Sequence, residues 1–161
     1  MSDAPRSIYL VDTCVWVNIR DEHADSQAIW DGCFRAIEAG AIKTVRQVYG
    51  ELERRFPDVH ARLKPYRSAL VVPDGVMYHP DVVAEVRAIH AQHPTLYDVL
   101  GAGNPADPFL VGVAKHTGAI VVTDERSTGK GHRSKIPYVC TQRNVGWTAR
   151  LDFFKAVGIE W

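Results

Sequence analysis

The fold is indicated most clearly by one short apolar stretch late in the chain, AIVVT at residues 119–123. A continuous run of apolar, β-branched residues predicts a strand buried on both faces of a parallel sheet. A second such run, IYLV at residues 8–11, lies near the N-terminus. Because helix-like segments alternate with the strands, we expect helices on both faces of the sheet. The sequence therefore predicts a single-domain α/β/α sandwich with a central, mainly parallel sheet over residues 1–161.

Capping and stop signals place the predicted helices. One helix begins at Ser26 and is stopped by Gly40, and another has Pro80 in its first turn. The clearest helix start is Asn104, a good cap that is followed by proline, and this helix is expected to continue to Gly118.

Three further strands and one capping motif are predicted between these helices. The strands cover residues 42–45, 69–72 and 136–140. Thr44 and Gln47 have the spacing of a capping box at the start of the helix that follows the first of them.

Composition limits the class of protein. The 161 residues are 46% hydrophobic and 24% charged, with 19 basic and 19 acidic side chains, which excludes a disordered, collagen-like or coiled-coil chain. A net charge of zero neither predicts nor excludes a nucleic-acid partner. The three cysteines form no C-x-x-C pair, and the sequence shows neither a signal peptide nor a run of 18 apolar residues. We therefore expect a cytoplasmic protein without a membrane segment.

Acidic residues follow the apolar strands. Asp12 comes directly after IYLV, and Asp124 and Glu125 come directly after AIVVT. Asp107 lies in the first turn after the Asn104 cap, and Glu51 lies in the helix after the strand at residue 42. Ligands of open parallel sheets bind beyond the carboxyl ends of the strands, so these acids can meet at one edge.

Each acid also has an ordinary explanation. An aspartate in the first turn of a helix is stabilised by the helix dipole. An aspartate after a strand can cap the next turn, and a single helical glutamate is usually a surface residue. Their convergence favours a site, because like charges held close together require a cation between them. Hard oxygen donors without histidine or cysteine suit Mg²⁺ or Mn²⁺.

Four sequence blocks resemble the PIN domain superfamily, and more narrowly its VapC-type ribonucleases. The blocks are YLVDTCVWV at 9–17, VYGEL at 48–52, ADPFLVGVAKHTGAIVVTDE at 106–125 and KIPYVC at 135–140. The resemblance implies that Asp12, Glu51 and Asp107 are the first three acids of the family site. Thr13 supplies the adjacent hydroxyl, with Asn104 and Thr123 in supporting places.

The fourth acid is a choice between two neighbours. The family spacing of a threonine and an acid two positions later selects Glu125, while proximity to the strand end favours Asp124. Adjacent strand residues point in opposite directions, so at most one of the two should reach a metal directly. We favour Glu125 and keep both in the predicted site.

The resemblance implies a metal-dependent endoribonuclease that hydrolyses RNA through a metal-activated water. It further implies the toxin of a toxin–antitoxin pair, with a cognate antitoxin as partner and a homodimer as a common form. The alternative is a catalytically inactive PIN-like domain that binds RNA or a protein without cutting.

A basic segment follows the acidic pair. Arg126, Lys130, Arg133 and Lys135 could contact the phosphate backbone of RNA or could belong to an ordinary solvated loop.

Two other motifs do not support a function. Residues 101–106 fit the dinucleotide pattern G-x-G-x-x-A, but Pro105 removes a backbone donor and Asp107 would repel a phosphate. The seven histidines form no metal-binding motif along the sequence, because H-E-x-x-H is absent.

Overall fold

The computed structural model describes residues 6–23, 27–94, 96 and 106–161. Four strands form one sheet in the order β2-β1-β3-β4, and every neighbouring pair is parallel. The strands are β1 (Tyr9–Val11), β2 (Ile42–Lys43), β3 (Ile120–Val122) and β4 (Trp147–Thr148). The α/β/α sandwich expected from the sequence is confirmed, and in the described ranges the sheet is parallel throughout.

The helices of the described ranges follow the strands in chain order. The first five are α1 (Thr13–Glu22), α2 (Gln27–Glu38), α3 (Arg46–Arg55), α4 (Pro57–Leu63) and α5 (Arg67–Leu70). The others are α6 (Asp74–Met77), α7 (Pro80–Gln92), α8 (Ala106–Thr117), α9 (Ile136–Gln142) and α10 (Arg150–Val157). None of these helices is long and apolar enough to cross a membrane.

The core forms where the helices cover the sheet. Leu10, Val11 and Val121 of the central strands are almost completely buried. Trp16 of α1 stacks on Trp30 of α2 at a centroid distance of 6.4 Å. Burying aromatic rings removes a large apolar area from water, so these contacts hold the first two helices together.

Two helices, α2 and α8, end next to the glycine residues that were predicted to stop them. Gly40 follows α2 with φ +80°, and Gly118 follows α8 with φ +77°. Both values lie in the left-handed region that only glycine adopts readily, which explains why the helices end there. The predicted starts at Ser26 and Asn104 lie outside the described residues.

The predicted capping box at α3 is wrong. The helix begins at Arg46 after Val45, with no side-chain hydrogen bond at its cap. The Thr44 hydroxyl instead donates to the Val11 carbonyl oxygen at 2.7 Å, which ties the end of β2 to β1. Gln47 Oε1 is buried and accepts no hydrogen bond.

Two of the predicted strands are partly or wholly helical. In the predicted strand 69–72, residues 69 and 70 belong to α5, and Val71 forms a single parallel bridge to Thr44. Residues 136–140 belong to α9, because Pro137 suits a first helical turn and the spacing of buried Ile136, Val139 and Cys140 matches one helix face. The fourth strand is β4, at Trp147–Thr148.

Candidate functional site

The parallel pairing of β1 and β3 brings two predicted site segments to one edge of the sheet. Val11 is paired with Val122, and the Asp12 N–H continues the pairing by donating to the Val122 carbonyl oxygen at 3.0 Å. Asp12 and Thr123 therefore leave the sheet side by side. The Thr123 hydroxyl donates to Asp12 Oδ2 at 3.2 Å, so the contact is direct.

Asp12 is a buried carboxylate at the N-terminus of α1. Its Oδ1 accepts from the Thr13 N–H at 2.7 Å, and its Oδ2 accepts from Cys14 Sγ at 3.1 Å as well as from Thr123. Only 3% of the residue is exposed. These hydrogen-bond donors hold the side chain in one orientation at the edge of the sheet where the carboxyl ends of the parallel strands lie, which is called the carboxyl edge below.

Glu51 reaches the same edge from α3. Its Oε2 accepts from the Thr13 hydroxyl at 2.8 Å, and its Oε1 accepts from Arg55 at 3.0 Å. Arg55 lies one helical turn after Glu51, where a side chain on the same face can pair with it. Thr13 contacts the first two acids through different groups, because its N–H donates to Asp12 and its hydroxyl donates to Glu51.

Asp107 comes to this edge on the first turn of α8. The residue is only 8% exposed, and its buried Oδ1 has no hydrogen-bond partner among the residues that the structure describes. A buried carboxylate oxygen without a donor is costly, because desolvation is not compensated. Asn104, predicted to cap this helix, lies outside the described residues.

Asp124 and Glu125 point to different partners. Asp124 accepts from the Asn18 amide at 2.9 Å and from the Arg150 guanidinium at 2.9 Å. Glu125 Oε2 accepts from the Ile136 N–H at 2.8 Å, and its charge acts on Asp12 and Asp107. The structure therefore joins Glu125 to the other acids electrostatically and pairs Asp124 with a buried arginine.

Burial and mutual repulsion shift the titration of this cluster upward. Burial, and then the Glu125 carboxylate, raise the pKa of Asp12 from 3.8 to about 7. Burial and the charges of Asp12, Glu125 and Glu51 raise the pKa of Asp107 well above its ordinary value. Burial also raises the pKa of Glu125, although the hydrogen bond from the Ile136 N–H and the positive charge of Lys135 each lower it in part. A cation among these oxygens would offset both causes.

The donor set fits a hard divalent cation. Asp12, Glu51, Asp107 and Glu125 offer carboxylate oxygens, and the orphaned Asp107 oxygen is a ready acceptor of a cation. These carboxylates are not tightly grouped, because no three of the four residues have carboxylate oxygens that all lie within 4.8 Å of one another. Such a spacing fits charges that repel one another, and it suits an ion that keeps some water ligands.

A cleft of about 260 Å³ opens beside the acids and includes residues that the sequence analysis did not single out as site residues. Cys14, Asn18 and Arg55 line it together with Asp12 and Glu51. Arg55 follows Glu51 by four residues on a predicted helix, and this spacing was the available signal. No such signal was available for Cys14 and Asn18. Cys14 donates to Asp12 and Asn18 donates to Asp124, and both contacts are seen only in three dimensions.

The basic segment follows Glu125 in the chain and includes a turn. Gly129 and Gly131 adopt positive φ, and a 3₁₀ turn follows at His132–Ser134. Of its four cations, Lys135 lies close enough to lower the pKa of Asp107 and Glu125. Arg126, Lys130 and Arg133 are exposed.

The fold and the acidic edge define an α/β protein with a parallel sheet and a group of buried carboxylates at its carboxyl end. Residues 9–161 match the model of a family described as a domain of unknown function, DUF4411, and the chain belongs to this family. No curated protein and no solved structure matches the chain.

The raised pKa of Asp12 predicts that the metal-free protein loses stability as the pH rises. The folded state holds a proton that the unfolded state releases near pH 3.8, so the stabilisation is complete below that pH and is lost through about pH 7. Between about pH 5.5 and pH 8 the contribution of Asp12 to the free energy of unfolding should fall by about 2 kcal/mol. Urea unfolding in EDTA measures the pH profile, to which the raised pKa values of Asp107 and Glu125 add in the same direction. Asp12→Asn should make the profile less steep and exposed Asp31→Asn should not; an unchanged profile in Asp12→Asn would contradict the assignment.

The separate partners of Asp124 and Glu125 predict different defects. Asp124→Asn removes the charge that pairs with buried Arg150, so it should lower the free energy of unfolding by about 1–3 kcal/mol. Glu125→Gln should instead weaken Mn²⁺ binding with little loss of stability. Calorimetric Mn²⁺ titration and urea unfolding of both variants compare these effects. A larger loss of Mn²⁺ affinity in Asp124→Asn would reverse the assignment.

Proposed function

We propose that this protein is a Mg²⁺- or Mn²⁺-dependent endoribonuclease with a PIN-like fold. The observation that carries the proposal is the meeting of Asp12, Glu51, Asp107 and Glu125 at the carboxyl edge of the sheet. They come from four separate segments, and no described residue donates a hydrogen bond to Asp107 Oδ1. The PIN-like sequence blocks supply these same residues, which supports RNA as the substrate.

Asp12, Glu51, Asp107 and Glu125 are the residues that would hold the cation. When bound, the ion supplies an activated water and offsets negative charge on the scissile phosphate. Thr13 and Thr123 do not need to touch the ion, since each donates to one of the acids and fixes its orientation. Asp124 instead pairs with Arg150 and positions the start of α10 through the Arg150 N–H.

Two cations of the chain can bind the phosphate backbone next to the acids. Lys135 lies close enough to Asp107 and Glu125 to act on their charge, and Arg55 lines the cleft beside Glu51. The exposed Arg126, Lys130 and Arg133 extend the positive surface along the same segment.

The resemblance to VapC-type ribonucleases extends the proposal to a cellular role. In this extended proposal, the protein is the toxin of a cytoplasmic toxin–antitoxin pair, has a cognate antitoxin protein as its partner and acts as a homodimer.

Neutralising one acid tests the proposed reaction. Asp12→Asn, Glu51→Gln and Asp107→Asn should each lower the rate of RNA cleavage by about 100-fold or more, because each removes a charged oxygen donor. Cleavage of structured RNA is measured with Mg²⁺ or Mn²⁺ and with EDTA. The matched control is Glu53→Gln, which changes an exposed acid on the same helix as Glu51.

Each result of this assay separates the candidate functions. Wild-type cleavage by Asp12→Asn would overturn the proposal. RNA binding by the wild-type protein without cleavage in either metal would favour the catalytically inactive, RNA-binding alternative.

The basic segment predicts the salt dependence of RNA binding. Replacing Lys130 and Arg133 by alanine should reduce the slope of log affinity against log salt by about 0.7 per lost phosphate contact. Fluorescence anisotropy with a labelled single-stranded RNA and the non-cleaving Asp12→Asn protein measures the slope. The control replaces Lys64 and Arg87, two exposed cations on other helices, and should keep the slope. Equal slopes in both double variants would make the segment a solvent-facing loop.

A further inference from the structure

A second group of possible metal ligands lies where α7 begins and α8 ends. It consists of His79, Asp81 and His116, whose donor atoms all lie within 4.8 Å of one another. Nδ1 of His79 is 3.7 Å from Asp81 Oδ2, and Nδ1 of His116 is 3.6 Å from the same oxygen. In the part of the chain that the structure describes, no other three histidine, cysteine or acidic side chains are grouped this closely.

Helix packing brings the three residues together. The Cβ of any other residue at Gly112 would lie 3.0 Å from Val86 Cγ2 and 3.4 Å from the Val82 carbonyl oxygen, so the glycine allows α8 to approach α7 closely. His116 follows Gly112 by one helical turn and lies on the same side of α8. It therefore faces the first turn of α7, which carries Asp81.

The two imidazole rings are stacked on each other. The ring centroids of His79 and His116 are 4.2 Å apart and the ring planes differ by 21°. His79 is the N-cap of α7, where its Nδ1 accepts from the Asp81 N–H at 3.1 Å. A ligand at this nitrogen would replace that hydrogen bond at a partly exposed position, where water can satisfy the N–H.

We propose that His79, Asp81 and His116 form a binding site for a divalent transition-metal ion of the Zn²⁺ type. Two imidazole nitrogens and one carboxylate oxygen are a common donor set for Zn²⁺, with water completing a tetrahedron. Donor atoms about 2.0–2.2 Å from a tetrahedral ion lie about 3.4 Å apart, close to the observed spacings of 3.6 and 3.7 Å. For both Nδ1 lone pairs to point at one ion, one imidazole has to rotate out of the ring stack, which the partly exposed position of both histidines allows.

The site is independent of the proposed nuclease centre. His116 and Asp107 are nine residues apart on α8, which corresponds to about 13 Å along the helix. The donor chemistry also differs, since imidazoles favour Zn²⁺ and carboxylates alone favour Mg²⁺ or Mn²⁺. A bound ion would join the first turn of α7 to the last turn of α8 and so stabilise this helix pair.

Zinc titration of untagged, full-length protein tests the proposal. Calorimetry is performed on the wild type and on Asp12→Asn/Asp107→Asn, which removes two carboxylates of the acidic cluster. Both proteins should bind one Zn²⁺ at the histidine site. In either background His116→Gln should weaken this binding by about 10-fold or more. Co²⁺ serves as a second probe, because its visible absorption bands report tetrahedral nitrogen and oxygen ligands.

Matched variants separate ligand loss from structural damage. His79→Asn keeps a side chain that caps α7 and removes the imidazole, so it should lose Zn²⁺ affinity without losing helix content. His90→Gln changes an exposed histidine on the same helix and should bind Zn²⁺ as the parent does. Zn²⁺ should also raise the thermal midpoint of the parent and of His90→Gln, but not that of His116→Gln.

The outcomes decide the proposal irrespective of RNA cleavage. Loss of Zn²⁺ affinity in both His79→Asn and His116→Gln, with His90→Gln unchanged, supports it. Absence of Zn²⁺ binding in both backgrounds, or affinities within twofold of the parent in His79→Asn and His116→Gln, would overturn it.

Discussion

The parallel pairing of β1 and β3 is the constraint on which the acidic edge depends. These two strands are central in the sheet, and their register places Val11 beside Val122. One further hydrogen bond, from the Asp12 N–H to the Val122 carbonyl oxygen, carries the alignment past the last strand residue. As a result Asp12 and Thr123, 111 residues apart in the chain, meet as hydrogen-bonded neighbours. Glu125 lies on the segment that leaves β3, and Glu51 lies on α3, which follows the neighbouring strand β2.

The edge is electrostatically strained without a cation. Burial and mutual repulsion raise the pKa values of Asp12, Asp107 and Glu125 together. The compensation from the chain itself is partial: Thr13, Thr123 and backbone N–H groups donate to the acids, while Arg55 and Lys135 add positive charge. Among the described residues, none donates to Asp107 Oδ1. Clustered carboxylates with raised pKa values are common at functional sites, which is the physical basis for proposing metal-dependent chemistry here.

Helix α8 connects the two proposed metal sites and explains why they differ. Its N-terminal turn carries Asp107 into the acidic cluster, where it acts with Asp12, Glu51 and Glu125. Its C-terminal turn carries His116 to the surface, where Gly112 allows α7 to approach. The first group supplies carboxylate oxygens and the second supplies imidazole nitrogens as well, so hard and borderline cations are expected at opposite ends of one helix.

The sequence by itself determined the elements whose signals are local. The strands at residues 8–11 and 119–123, the glycine stops at Gly40 and Gly118, and the acids after the strands all follow from patterns within a few residues. The α/β/α class followed from their alternation. Short apolar runs were less certain, because a run such as residues 136–140 can fit a strand or one face of a helix, and Pro137 together with burial decided for the helix.

Only the tertiary structure decided which side chains meet. Asp124 and Glu125 are adjacent and chemically similar, yet Asp124 pairs with Arg150 and Glu125 accepts from the Ile136 N–H, and no local pattern predicts these partners. His79 and His116 are 37 residues apart and show no motif, yet helix packing at Gly112 places them together. Local periodicity determines secondary structure, whereas a site depends on contacts between distant segments that form only when the core has packed.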